Sequence, residues 1–232
     1  MKVKEIFNSN FAIYYEKVIN RLSSPIQIDK WRKVLVKKAV AICPNASTAI
    51  DCCSGAGNVG KFFLRENPKA KLINCDISKP LLKLAKENFS NKENVFYVCS
   101  DNRFFPIKDS STDILFSSFC VRNSPEPTLT ISEAHRVIRP GGVWAILDFF
   151  RIEKENSLTK ANNFIFKSFM NFTKLVAPSH SEAIDYLFDS IRKFYTVTEF
   201  KNILLEANFE IAEIKEFMGG VANVLIAIKK EV

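Results

Sequence analysis

Residues 48–76 read TAIDCCSGAGNVGKFFLRENPKAKLINCD, and this stretch decides the fold. It opens on a short apolar run, TAIDCC, and turns through Gly55-Ala56-Gly57. It continues as the helix-like GKFFLREN and closes in a second apolar run, KLINCD. Strand, glycine turn, helix, strand is the repeating unit of a parallel sheet, because parallel neighbours need a crossover between them. Glycines in such a turn let the backbone approach a ligand, and the next helix offers unpaired N–H groups to an anion.

The alternation continues on both sides. Upstream, DKWRKVLVKKAVAI (29–42) repeats its apolar positions at helical spacing and ends a segment, residues 3 to 42, that reads as helical throughout. Downstream come a helix opened by Ser78 with Pro80 in its first turn and a strand over VFYVCS. A strand from Asp113 to Phe119 follows, then a helix from Glu126 to Ile138 stopped by Pro140-Gly141-Gly142, then a strand from Val143 to Phe149. Short, continuously apolar strands separated by helices predict a parallel sheet covered on both faces. After residue 150 the pattern changes. Lys154–Val176 and Glu182–Phe194 read as two successive helices, followed by a helix over Thr198–Ala207. Strands over Phe209–Phe217 and Val221–Ile228 flank Gly219-Gly220, a hairpin signal, so the sheet should end antiparallel. The expected architecture is α/β and Rossmann-like: a seven-stranded, mostly parallel sheet. An N-terminal helical cap (1–42) precedes the main domain (43–232), which carries a helical insertion at 154–194.

Composition narrows the function classes. The 232 residues are 47% hydrophobic and 25% charged, which excludes a disordered chain and a disulfide miniprotein. No apolar stretch approaches a bilayer span, and the N-terminus lacks a signal-peptide pattern, so a cytoplasmic protein is expected, at most peripheral on the inner membrane face. The six cysteines (43, 52, 53, 75, 99 and 120) form no CxxC pair and no ligand-like spacing with His135 or His180. They read as small buried residues in a reducing compartment, and no metal site is expected.

The turn from Gly55 to Gly60 matches GxGxxG, and Asp76 ends the next strand, where an acid can hold a ribose diol. A nicotinamide enzyme and other nucleoside-cofactor enzymes share that pattern. Asp51 separates them: four residues before Gly55, it suits a cofactor carrying an ammonium and a sulfonium and is poorly placed beside a pyrophosphate. The chain also has no YxxxK pair. RVIRPGG (136–142) followed by a strand, a late helix and a hairpin resembles the layout of class I S-adenosylmethionine-dependent methyltransferases.

Beyond that class, the sequence resembles the ubiquinone/menaquinone biosynthesis C-methyltransferases over nearly its whole length. Asn20, Ser24 and Trp31-Arg32 keep that family's spacing, and Tyr15-Glu16 looks like its Tyr-Asp pair shifted by one residue. DCCSGAGN, CDISKPLL and SDNRFFPIKDSSTDI stand where its three cofactor segments do. SSFCVRN (117–123) resembles its Arg-Asn motif, YLFDSIRKF (186–194) its late tyrosine-serine-isoleucine motif, and GGVAN (219–223) fits near the end. Ala56 and Asn58 replace the family's Thr and Asp in the glycine loop.

The resemblance implies S-adenosyl-L-methionine as cofactor and C-methylation of a reduced, prenylated quinone ring. The rivals are another apolar acceptor, such as a sterol or lipid, or a non-catalytic cofactor-binding subunit. It further implies that Gly55, Ala56 and Gly57 meet the methionine carboxylate, that Asp51 faces its ammonium, and that Asp76 holds the ribose. Asp101 and Asn102 would meet the adenine edge, and Ser118 would line the pocket. Arg122, a permanent cation and a poor base, would stabilise a developing phenolate or orient a water beside Asn123. The alternative for Arg122 is a structural ion pair with a helix acid, and for Asp101 a cap on the next turn. His180 reads as a loop residue with a pKa suited to proton transfer, and His135 as a packed helix residue. A stripe of Ile165, Phe169, Phe172 and Val176 with Lys160, Lys167 and Lys174 reads as a one-sided helix. Phe164, Phe166 and Phe169 are the residues expected to line a channel for a prenyl tail.

The net charge of +8 is concentrated at one end: residues 1–42 carry nine Lys and Arg against three acids. No nucleic-acid motif accompanies it, so no nucleic-acid partner is expected. Lys30, Arg32, Lys33, Lys37 and Lys38 would suit contact with an anionic membrane, and a homodimer is compatible with the sequence.

Overall fold

The structure is a computed structural model, and it describes residues 28–90, 92–153, 168 and 181–231. Helix α1 (Ile28–Ile42) leads into β1 (Thr48–Cys52), α2 (Asn58–Glu66), β2 (Lys71–Asp76), α3 (Lys79–Asn88) and β3 (Val95–Cys99). Then come β4 (Thr112–Ser118), a 3₁₀ turn (Val121–Asn123), α4 (Pro127–Val137) and β5 (Ile138–Phe149). Helices α5 (Ser181–Lys193) and α6 (Val197–Glu206) and strands β6 (Phe209–Phe217) and β7 (Ala222–Lys229) complete the described chain. The seven strands form one sheet in the order β3-β2-β1-β4-β5-β7-β6. The first five are parallel, and β7 runs antiparallel to both β5 and β6, as the apolar runs and the Gly219-Gly220 turn predict.

Local chemistry accounts for the element ends. The Ser78 side chain caps α3 by accepting from Leu81 N, with Pro80 in the first turn. Thr196 and Glu199 form a reciprocal capping box at the start of α6. Strand β5 begins earlier than expected. Ile138 already pairs with Thr112, and Pro140-Gly141-Gly142 form an irregularity within the strand and do not merely stop the preceding helix. Gly142 is required there, since a Cβ would lie 2.7 Å from Ile138 Cγ2 and 2.9 Å from the Arg139 carbonyl oxygen.

Side chains alternate across the sheet and build a core on each face. Phe116 and Leu147 point toward α1 and α2 and pack with Leu35, Val36, Ala39 and Phe63. Leu115, Trp144 and Ile146 point the other way, to Ile131, Phe150, Phe200 and Phe209. Helix α1, assigned to a cap from the sequence, therefore contributes to the same core as the sheet. Trp31 extends this packing by stacking on Phe217 at 5.2 Å. The helix expected over Lys154–Val176, with its lysine stripe and phenylalanines, lies outside the described residues apart from position 168. The segment 3–27 and His180 lie outside them as well.

Candidate active site

Strand order reverses between β1 and β4, which open the crevice at their carboxyl ends where ligands of open α/β sheets sit. The glycine loop leaves β1 there. Gly55 and Gly57 take left-handed backbone conformations, with φ of 53° and 78°. Two aspartates hold this loop. Asp76 accepts from Gly55 N and from Ser78 N, each at 2.8 Å, so one carboxylate ties the glycine loop to the start of α3. Asp51, 1% exposed, accepts from Gly60 N at 3.1 Å in the first turn of α2. Both acids thus sit at the ends of β1 and β2 beside the glycine loop, and both already receive backbone amides.

The adenine-side candidates have local partners. Asp101 makes a two-pronged contact with Arg103, at 3.0 and 2.8 Å, and also accepts from the Arg103 backbone amide. Asn102 directs its amide to sulfur, donating toward Cys120 Sγ at 3.4 Å and Cys53 Sγ at 3.8 Å. Ser118, at the end of β4, has a buried hydroxyl with no partner among the described residues, and so does Ser54 beside Gly55. Two orphaned hydroxyls flanking the crevice fit a polar ligand that completes them, since buried polar groups are rarely left unpaired. With the Asp76 and Asp51 carboxylates at the neighbouring strand ends, the donor set suits a nucleoside joined to a cationic amino-acid end.

A second cluster lies where β4 and β5 end. Arg122 is buried, and its Nε donates to Asp148 Oδ1 at 3.2 Å while its backbone amide donates to Asp148 Oδ2 at 3.1 Å. Its Nη1 reaches Ser190 Oγ on α5. The guanidinium carbon stands 5.9 Å from the Phe149 ring centre, and Phe149 packs at 4.9 Å on Phe119. Asn123 donates to the Phe119 carbonyl at 2.9 Å, and its Oδ1 accepts from Tyr186 OH at 3.3 Å. Burial pushes the Asp148 carboxyl above the usual carboxylate range even though Arg122 opposes it. Burial likewise raises the Tyr186 hydroxyl, with Arg122 pulling it down and Asp148 pushing it up. Arg122 is therefore in an ion pair, but with a strand acid at the site and not with a helix acid. Sequence reasoning missed Asp148, Tyr186 and Ser190 as site residues. The available signals were an acid inside the apolar run GGVWAILDFF and the i, i+4 spacing of Tyr186 and Ser190 on one helix face.

The cysteines need a correction. Cys43, Cys52 and Cys75 are buried thiols as expected, and Cys99 is exposed. Cys53 and Cys120, however, are joined by a disulfide between loops 67 residues apart. The Sγ atoms of Cys52, Cys53 and Cys120 all lie within 4.8 Å of one another, a cluster that linear spacing does not reveal because β1 and β4 become neighbours only in the sheet.

Known proteins match this chain both in sequence and in fold. A sequence profile of the ubiE/COQ5 methyltransferase family matches residues 1–229. A ubiquinone/menaquinone biosynthesis C-methyltransferase of Campylobacter jejuni is 29% identical over 98% of this chain and 97% of its own length. A demethylmenaquinone methyltransferase of Staphylococcus carnosus is 29% identical over 99% and 94%. Among solved structures, a SAM-dependent methyltransferase of Aquifex aeolicus shares the fold. Its TM-score is 0.55 and its identity 20%, covering 79% of this chain and 82% of that one. With the glycine loop, the paired strand-end acids and the Arg-Asn turn in place, the chain belongs to the ubiE/COQ5 methyltransferase family, enzymes that use S-adenosyl-L-methionine.

Proposed function

We propose that this enzyme methylates a ring carbon of a reduced, prenylated quinone, a naphthoquinol or benzoquinol, in quinone biosynthesis. The observation that carries the reading is the meeting of two motifs distant in sequence. Arg122 and Asn123 of SSFCVRN touch Ser190 and Tyr186 of YLFDSIRKF, and Asp148 pairs with Arg122 beneath them. The names borne by the Campylobacter and Staphylococcus relatives point to the same acceptor class.

Gly55, Ala56 and Gly57, with Asp51, Asp76, Asp101, Asn102 and Ser118, are the residues we assign to S-adenosyl-L-methionine. When bound, the cofactor supplies an electrophilic methyl group on a sulfonium. The acceptor carbon becomes strongly nucleophilic once a phenol of the ring loses its proton. Arg122 is the group we assign to that phenolate, held in place by Asp148 so that its charge faces the site without reorganising during the reaction. Asn123 and Tyr186 complete the polar side, and Phe119 and Phe149 form an apolar wall beside it that excludes water.

No helix among the described residues is long and apolar enough to cross a membrane. An enzyme with a prenylated acceptor must still reach lipid, and we place that contact on the exposed lysines of α1 at the cytoplasmic face of the membrane. Of the basic residues there, Lys30, Lys33 and Lys37 are exposed, Arg32 is buried against Asp29, and Lys38 pairs with Glu213. Flotation with vesicles of rising anionic lipid content tests this contact, and binding indifferent to that content would remove it. For the reaction, purified enzyme is given labelled cofactor and the reduced naphthoquinol and benzoquinol in parallel. Label in the ring of one or both is expected. Cofactor uptake without transfer to either would leave a binding protein, and transfer only to a sterol or lipid would move the enzyme to another acceptor.

A further inference from the structure

Cys53 and Cys120 occupy the two loops that define the crevice. Cys53 follows β1 and begins the stretch leading to Gly55-Ala56-Gly57, while Cys120 lies between β4 and the turn bearing Arg122 and Asn123. Their Cα atoms are 5.6 Å apart, and the bridge ties the cofactor side of the site to the acceptor side. Asn102, assigned above to the adenine edge, spends its amide on these two sulfurs. Cys53 is half-buried and Cys120 fully buried, so the pair has one sulfur that an outside reagent can reach and one that can resolve the product.

Cys52 completes the cluster, with its sulfur 3.4 Å from Cys120 and 4.0 Å from Cys53. Burial, with Cys75 and Asp51 adding to it, pushes the Cys52 thiol well up. A thiol kept protonated is a poor nucleophile, so Cys52 packs against the bridge without competing for it.

We propose that Cys53 and Cys120 are a thiol–disulfide exchange site for small disulfides, and that closing the bridge lowers the affinity of the crevice for S-adenosyl-L-methionine. The inference rests on the assignment of the glycine loop and Asn102 to that cofactor. The Cys53 thiolate attacks one sulfur of the small disulfide and expels one small thiolate. The Cys120 thiol loses its proton to water and attacks the Cys53 sulfur, expelling the second thiolate. Two electrons pass from the protein pair to the reagent, leaving the bridge and two small thiols, and a dithiol reductant reverses the exchange. In the closed state the loops are held at bonding distance and Asn102 is drawn onto sulfur. In the open state the sulfurs separate to contact distance, and the Asn102 amide is released toward a ligand.

The full-length enzyme is treated with oxidised glutathione or with dithiothreitol, and S-adenosylhomocysteine is titrated calorimetrically into each. Digestion and mass spectrometry follow the linkage. Oxidised protein is expected to yield a linked peptide pair containing Cys53 and Cys120 and to bind at least tenfold more weakly, with dithiothreitol restoring the affinity. Cys53→Ser, which lacks the attacking thiol, is expected to bind equally after either treatment. Cys120→Ser, which lacks the resolving thiol, is expected to stop at a mixed disulfide of Cys53 with glutathione that mass spectrometry reads and dithiothreitol removes. Either variant therefore tests the exchange if the other misfolds. Equal affinity of the two wild-type states overturns the switch alone, as does a failure of the linked pair to form. Retention of a soft metal ion by all three thiols overturns it in favour of a metal site. A protein that binds the ligand in neither state overturns the glycine-loop assignment itself.

Discussion

The Arg122 guanidinium and the Asp148 carboxylate form a pair removed from solvent, their side chains 3% and 1% exposed. Buried pairs of this kind contribute little net stability, because desolvation offsets their attraction, but breaking one strands a charge. Asp148→Ala should therefore cost about 3–5 kcal/mol in urea unfolding. Replacing both partners by apolar residues, Arg122→Met with Asp148→Leu, should recover most of that loss. The double variant should still turn over at least 100-fold more slowly than wild type while binding S-adenosylhomocysteine almost normally. Recovered stability with full turnover would remove Arg122 from the catalytic machinery and leave it a structural residue.

Tyr186 reaches the same cluster from α5 through a hydrogen bond to Asn123. Its hydroxyl is raised by burial, so it stays neutral across the working range and acts as a donor. Tyr186→Phe removes one such bond, worth about 1 kcal/mol, and should lower kcat roughly five- to tenfold. Cofactor affinity should not move, and the alkaline limb of the pH profile should keep its position. A shifted alkaline limb would mean that Tyr186 itself ionises during turnover.

How much of this was legible in the sequence follows from which contacts are local. Strands β1, β2, β4 and β5 could be read because both faces are buried, so each appears as an unbroken apolar run bounded by turns. The two acids at the ends of β1 and β2 could be read for the same reason, since a strand's end locates the sheet edge. The partners of Arg122 could not. Asp148 lies inside an apolar run and declares itself only when β4 and β5 pair, and Ser190 arrives, together with Tyr186 that bonds the neighbouring Asn123, from a helix more than sixty residues away. The Cys53–Cys120 bridge was hidden similarly, by a strand order that makes neighbours of segments far apart in the chain.

Gly57 is required by packing as well as by conformation. At φ of 78° an added Cβ would lie 2.3 Å from the Phe89 ring, which is the underside support of the glycine loop. Gly57→Ala should destabilise the fold by about 1–3 kcal/mol through that overlap and the left-handed backbone. Adding Phe89→Leu should relieve the overlap but not the backbone term, restoring part of the stability. If the second substitution restores nothing, the cost lies in the backbone conformation alone.

Acid should loosen the edges of the site before its centre. Asp113 accepts from the backbone amides of Ser47 and Thr48 at 2.8 Å each and from Arg139, joining the start of β1 to β4. Burial works to raise its carboxyl, but the Arg139 bond and those amides win and hold it below the usual carboxylate range. Glu133 is likewise held down, chiefly by Arg136 and, against burial, by the amide of Phe105. A carboxylate with a depressed folded-state pKa contributes stability above its unfolded value and loses it as pH falls through the folded value. Unfolded values near 3.9 and 4.3 place the onset of the loss at about pH 5, deepening below pH 4. Asp148 runs the other way: its raised carboxyl takes up a proton more readily in the folded state, so its own contribution does not fall with acid over that window. Urea midpoints from pH 3 to pH 7 should therefore decline steeply below pH 5 for the wild type and less steeply for Asp113→Asn and Glu133→Gln. The variants should be weaker than wild type at pH 7 and approach it at pH 3. Parallel curves at all pH values would assign the acid response to the net charge of +8 rather than to these two carboxylates.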